Sequence, residues 1–242
     1  MKDLSKRNTE TELMDDLSLD LKQLNKVLLD IDQANRFLNG NQLTLEALDK
    51  LLIDKNGKSY TVLDMGCGNG SMLRNVVLWS RKKQISLKCI GVDLNEKSLM
   101  IAREQSKNFP EIEYFKQDIL TLRPDELPCD ILLCTLTMHH FRNAQIPQFL
   151  TQFSKLSRIG FIINDLRRSS VAYQLFKVFS AIFIQTDIAK KDGLTSIASG
   201  FIKKELEAFA KGLPQMKHTI QPKWAYRYVW VALQKRPIEI YE

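Results

Sequence analysis

Two groups of residues in this chain could carry chemistry. The first is Val62-Leu63-Asp64-Met65-Gly66-Cys67-Gly68-Asn69-Gly70, an apolar run, an acid and three glycines at alternate positions. Glycines so spaced let a strand turn abruptly into a helix and bring backbone N–H groups within reach of a bound ligand. A dinucleotide fingerprint reads G-x-G-x-x-G; here the third glycine comes one residue early and an acid precedes the bend. The second group is Thr137-Met138-His139-His140-Phe141. A histidine near its ordinary pKa of ~6.5 can take up a proton at neutral pH. His139 and His140 are therefore candidate general bases, with bracing of the loop as the alternative for either. Other polar groups close apolar runs: Asp93, followed by Leu94; Asp118, followed by Ile119; and Thr135 after Cys134. Acids at such places can accept hydrogen bonds from a ligand, but each could equally cap the next helix.

These groups need a scaffold that gathers them. Apolar periodicity and turn signals predict strands at 60–65, 87–93, 112–116, 130–135 and 158–164, with helices at about 70–82, 96–107 and 145–157. The alternation implies an α/β fold with a doubly wound parallel sheet and right-handed crossovers. Ligands of such sheets sit beyond the carboxyl ends of the strands, where all the residues above fall. Helical stretches at about 168–189 and 201–211 then lead to strands near 216–221 and 224–233, separated by Pro222. Their short connection predicts an antiparallel hairpin at the sheet edge. Upstream, Leu17 to Leu38 and Leu43 to Ile53 have helical spacing, with Asn39-Gly40 as a stop. Residues 1–12 are polar and expected to be mobile. The predicted division is an N-terminal helical cap over 1–57 and a domain over 58–242 with a helical lid inserted at about 168–211. The cap either covers the ligand cleft or packs on the sheet edge.

In the order of its acid–x–G–x–G–x–G bend, Gly91-Val92-Asp93, Gln117-Asp118-Ile119 and the end of its fourth strand, the chain resembles the class I S-adenosylmethionine (SAM) methyltransferases. The motifs cover about residues 58–165, and the strand count extends the likeness to the whole chain. The resemblance implies a Rossmann-like, seven-stranded sheet, mostly parallel with an antiparallel edge hairpin, and SAM as methyl donor. It implies that Asp64, Gly66, Cys67 and Gly68 hold the amino-acid part of SAM, and Asp93 with Leu94 the ribose. Asp118 and Ile119 would meet the adenine, and Thr135 the methionine chain. Further segments look like a bacterial group of small-molecule methyltransferases associated with polyketide and other aromatic secondary metabolites. They are Glu12-Leu13-Met14-Asp15-Asp16, Asn35-Arg36-Phe37-Leu38, the run Ile163 to Ser169, and Asp192-Gly193-Leu194-Thr195-Ser196. That closer likeness implies O-methylation of a small, largely apolar, hydroxylated acceptor. The acceptor would lie under a lid bearing Tyr173, Phe176, Phe179, Ile182 and Phe183, a stripe that could equally be core. Arg167 or Arg168 would meet a carboxylate or an acyl-carrier phosphopantetheine, or pair with Asp165 and fix the lid hinge.

Bulk composition narrows the remaining classes. No apolar run reaches 18 residues and the N-terminus lacks a signal-peptide core. Cys67, Cys89, Cys129 and Cys134 form no C-x-x-C pair, so reduced buried thiols, no metal site and a cytoplasmic location are expected. Residues 1–50 hold seven basic and ten acidic side chains, the remainder 28 and 18. The basic remainder keeps open an RNA methyltransferase using its C-terminal face. However, the Asn/Asp-Pro-Pro-aromatic run of nucleic-acid amino-methylating enzymes is missing after Cys134, which argues against a DNA or RNA amino-methylase though not against every RNA enzyme; a nucleic-acid partner is not expected. A SAM-binding protein without turnover is the third reading. His218 is expected to be structural, and the oligomeric state stays open, a dimer included.

Overall fold

A computed structural model describes residues 2–52, 59–123 and 126–235. The expected boundary at 57/58, and Ile53 as the end of the second helix, fall outside these residues. Seven strands form one sheet: β1 (Tyr60–Met65), β2 (Leu87–Asp93), β3 (Ile112–Lys116), β4 (Cys129–Thr135), β5 (Ser157–Leu166), β6 (Met216–Lys223) and β7 (Arg227–Gln234). Their order is β3-β2-β1-β4-β5-β7-β6. The first five run parallel, while β7 lies antiparallel to both β5 and β6. The order reverses between β1 and β4, the switch point at which the strand ends open a crevice. The expected mixed sheet with its edge hairpin is the fold observed.

The central strands read as near-continuous apolar runs because both faces are covered. Leu63 and Met65 of β1 point to one core with Phe149, Phe153, Phe161 and Trp230. Val62 and Tyr60 point to the other, with Leu48, Leu73, Val76 and Leu99. The crossover helices are α3 (Ser71–Lys83), α4 (Glu96–Gln105) and α5 (Ile146–Leu156). His218 is structural in its contacts: its Nε2 lies 2.9 Å from the Leu213 carbonyl and its Nδ1 accepts from the Trp230 indole at 3.2 Å.

Several elements depart from the sequence reading. The cap helices are α1 (Leu21–Phe37) and α2 (Gly40–Leu52). Gly40 therefore begins the second helix rather than ending the first, because Asn39 alone, at φ 56°, makes the turn. The single stretch expected at 168–189 is two helices, α6 (Ser170–Phe183) and α7 (Asp187–Ser199), followed by α8 (Lys203–Ala210). The break at Ile184-Gln185-Thr186 is fixed from α1: Asp30 accepts the N–H groups of Gln185 and Thr186 and the Thr186 hydroxyl. Pro222 lies inside β6, which an edge strand tolerates because one row of its N–H groups has no ladder partner. Residues Trp224–Tyr226 form the turn instead.

The N-terminal segment, expected to be mobile, is docked. Arg7 donates from Nε to the Ser199 carbonyl (2.8 Å) and from Nη2 to the His139 carbonyl (2.9 Å), and its guanidinium lies 4.2 Å above the Phe201 ring. No described helix is long and apolar enough to cross a membrane.

Candidate active site

The bend after β1 is built on left-handed glycines. Gly66 and Gly70 sit at φ +76° and +74°, where a side chain is disfavoured, and a Cβ would collide with Thr137 at the first and Tyr114 at the second. The turn delivers the chain into α3, whose first N–H groups have no intrahelical acceptors. Asn69 at its tip donates to Asp32 of α1 at 2.7 Å, so the cap is tied to the bend.

One hollow of about 440 Å³ opens above the strand ends. Asp64, Gly66, Cys67, Gly68 and Thr135 wall its floor, His139 and His140 one side. Leu28, Ile31 and Asn35 of α1 close it above, and Phe176, Phe179 and Ile197 of α6 and α7 on the flank. The cap thus covers the cleft. Of the aromatic lid stripe, Phe176 and Phe179 face the hollow, whereas Ile182 and Phe183 are exposed. Volume and lining fit a small-molecule site, mostly apolar with a few convergent polar groups.

Asp64 is fully buried on that floor, and its Oδ1 has no hydrogen-bond partner. Burial, reinforced by the nearby charge of Asp93, pushes its pKa up to about 7. A buried carboxylate left short of a donor is a place for a cationic or N–H-bearing ligand group. Asp93 is not part of that lining but sits beside the bend. Its Oδ2 accepts the Gly68 N–H at 2.9 Å and its Oδ1 the Asn95 N–H at 2.8 Å, which fixes the bend and leaves lone pairs over. Burial raises its pKa, and those two backbone donors counter the rise.

Leu94, Asp118 and Ile119 are not brought to the wall. Leu94 is exposed and Ile119 belongs to the core. Asp118 closes its own turn by accepting the Leu120 N–H at 2.9 Å, the local hydrogen bonding that acids make readily in loops.

The two histidines have different surroundings. His139 is buried, its Nδ1 2.7 Å from Asp165 Oδ1 and its Nε2 3.3 Å from Glu12 Oε1, while its backbone N–H reaches Asp165 Oδ2 at 3.0 Å. Burial works against a charge on the ring, but Asp165 and Glu12 outweigh it and push the pKa up to about 10. At neutral pH the ring already carries its proton, so His139 is a cation clamped between carboxylates and not a proton acceptor. This corrects its candidacy as base. His140 is partly exposed, with Nδ1 3.1 Å from Asp15 and Nε2 3.8 Å from Glu12 Oε2.

Glu12 also accepts from Ser196, and Asp192 accepts the N–H groups of Leu13 and Met14, each at 2.8 Å. One donor atom each from Glu12, His139 and His140 lies within 4.8 Å of the others, a spacing that a divalent cation could bridge. Sequence reasoning gave Glu12 no place in the site, because nothing local says that residue 12 returns to meet residue 139. Arg168 is spent elsewhere: it pairs with Glu205 at 2.7 Å and donates to the Leu4 and Gly200 carbonyls, while Arg167 is exposed.

Residues 62–160 match the family described as a methyltransferase domain. No curated protein matches the sequence. Among solved structures, the fold is shared with the plantazolicin methyltransferase BpumL in complex with SAH (TM-score 0.67, 16% identity, 93% of this chain and 94% of that one). It is also shared with the magnesium protoporphyrin IX methyltransferase ChlM from Synechocystis PCC 6803 with bound SAH (0.55, 15%, 81% and 84%). The citrinin polyketide synthase CMeT domain is a third (0.57, 12%, 77% and 50%). At these identities the likeness establishes the fold.

Proposed function

We propose that this protein, whose residues 62–160 match a methyltransferase domain, takes SAM at the glycine bend and methylates a small, largely apolar, hydroxylated acceptor at oxygen. One observation carries the reading: a single hollow joins the bend and the unpartnered Asp64 to His140 and the aromatic lid. The SAH held by structural relatives supports the choice of donor.

In this reading Asp64 receives the positively charged amino-acid end, and the spare lone pairs of Asp93 receive ribose hydroxyls. The bound sulfonium supplies a methyl group that needs no further activation. The residues of this chain must then orient the acceptor, exclude water and receive a proton. Phe176, Phe179, Leu28 and Ile31 exclude water. His140 receives the acceptor's proton at Nε2, with Asp15 holding Nδ1 and so setting the tautomer. His139, held charged by Asp165 and Glu12, braces the segment that presents His140. The four cysteines are buried and free, which suits a reducing compartment such as the cytoplasm.

Calorimetry with S-adenosylhomocysteine tests the donor site. Asp93→Ala should weaken binding at least about tenfold, because the ribose contact and the strap on the Gly68 N–H are lost together. Unchanged affinity would refute the assignment.

A further inference from the structure

The wall of the hollow holds a cation that the methyl-transfer reading leaves unused. Arg227, the first residue of β7, is 3% exposed and lines the cavity beside Tyr226 and Asn41. Its Nη2 donates to Asn35 Oδ1 at 2.6 Å and its Nη1 to Asn164 Oδ1 at 3.5 Å. Its Nε has no partner. Two neutral amide oxygens are thus the acceptors for a group with five N–H donors. Among the described residues Arg227 forms no ion pair. Asp165, the acid whose charge it feels, is already bonded to the His139 ring and to the backbone N–H groups of His139 and Leu166.

The neighbouring backbone increases the excess of positive charge. The guanidinium lies against Gly40, where an added Cβ would fall 2.9 Å from Cζ and Nη2. Gly40 opens α2, a 13-residue helix; the first N–H groups of a helix have no intrahelical acceptor, and its dipole is positive at that end. Asn164 fixes this end by donating to the Gly40 carbonyl at 2.8 Å and to Thr44 at 3.0 Å. A buried guanidinium beside the first turn of a helix, where the dipole is positive, is an unfavourable pairing unless an anion joins them. Planar guanidinium N–H groups and helix N–H groups together match a carboxylate.

We propose that Arg227 and the first turn of α2 form a subsite for a carboxylate on the acceptor, so that the substrate is an apolar hydroxylated acid. The proposal rests on the hollow being the acceptor site. It moves the acid-binding role from Arg167 and Arg168, which the sequence suggested, to a residue of the edge hairpin.

The probe pair is 1-naphthoate and its neutral near-isostere 1-naphthamide, titrated calorimetrically into the full-length protein with S-adenosylhomocysteine present. Wild type should bind the acid at least about tenfold tighter than the amide, and Arg227→Gln should abolish the preference. Asn41→Asp sets a carboxylate on the wall without opening the core, and should remove the preference even if Arg227→Gln does not fold. Equal affinity for acid and amide in wild type, no naphthoate binding at millimolar concentration, or a preference that survives either variant would overturn the subsite. Affinity for S-adenosylhomocysteine, measured in the same proteins, judges the donor reading separately: its absence in wild type, with the naphthoate preference intact, would sink that reading and leave Arg227 as a carboxylate site without a methyl acceptor.

Discussion

At the scale of single residues, burial decides what each ionisable group can do. Asp64 is pushed up to about 7, so it is half neutralised at neutral pH in the free protein. Affinity for the cationic donor should therefore fall severalfold between pH 8 and pH 6 as Asp64 takes up its proton. Asp64→Asn should bind weakly at both, with a flat profile, by calorimetry with SAM. His139 and His140 should separate in a different way. Raised to about 10, His139 stabilises the fold fully below its unfolded value near ~6.5, and this contribution disappears as the pH rises towards 10. Glu12 and Asp165, both held low by the histidines despite burial, contribute above the ordinary carboxylate range and lose that contribution in acid. His139→Gln should thus cost most near pH 6, on the order of 3 kcal/mol since two buried carboxylates lose a partner, and far less near pH 9.5 in thermal unfolding. His140→Gln should leave stability nearly unchanged and lower turnover at saturating substrate. Equal turnover in that variant would remove His140 as proton acceptor. The adjacent His-His pair was legible from sequence, but which one is buried between acids was not, because Glu12 and Asp165 reach it from 127 and 26 residues away.

At the scale of elements, the site is closed by segments that sequence periodicity describes poorly. The segment before α1 carries few apolar residues, so nothing in its pattern says that it docks. A few long polar side chains dock it: Arg7 on the Ser199, His139 and Phe141 carbonyls, and Asp192 on the Leu13 and Met14 N–H groups. Arg7→Ala should release it, leaving Glu12 free to leave His139. Limited proteolysis should then cut before residue 16 several times faster than in wild type, with the remaining domain intact. Equal rates would show that apolar contacts hold the segment unaided. The split of the lid into α6 and α7 has the same origin. Apolar spacing continues across 168–189, and it is Asp30 of α1 that takes the N–H groups at Gln185 and Thr186.

At the scale of the whole molecule, the net charge of +7 is the feature that keeps a nucleic-acid partner in question. The hollow argues against one, because its wall is largely apolar, with Arg227 its one arginine among the described residues; Arg168, paired with Glu205, and Arg7, held by backbone carbonyls, lie outside that wall. The protein should bind tRNA only weakly at 150 mM salt in filter binding. Tight binding that falls steeply with salt, in the manner of many phosphate contacts, would reverse this and favour an RNA substrate. The sheet itself was written in the sequence. Strand ends and the antiparallel hairpin follow from runs of apolar residues and the lengths between them, properties of neighbours along the chain.

The sequence by itself determined the α/β sheet, the glycine bend at Gly66–Gly70 and the carboxylates Asp64 and Asp93 near it, since strand period and left-handed glycines are local matters. Only the tertiary structure decided that Asp118 closes its own turn, that His139 is a charged brace and that Glu12 belongs to the site. It also decided that Arg227 lies buried against α2 without a counter-ion. Those outcomes depend on burial and on partners distant in the chain, and desolvation acts only once the elements have packed.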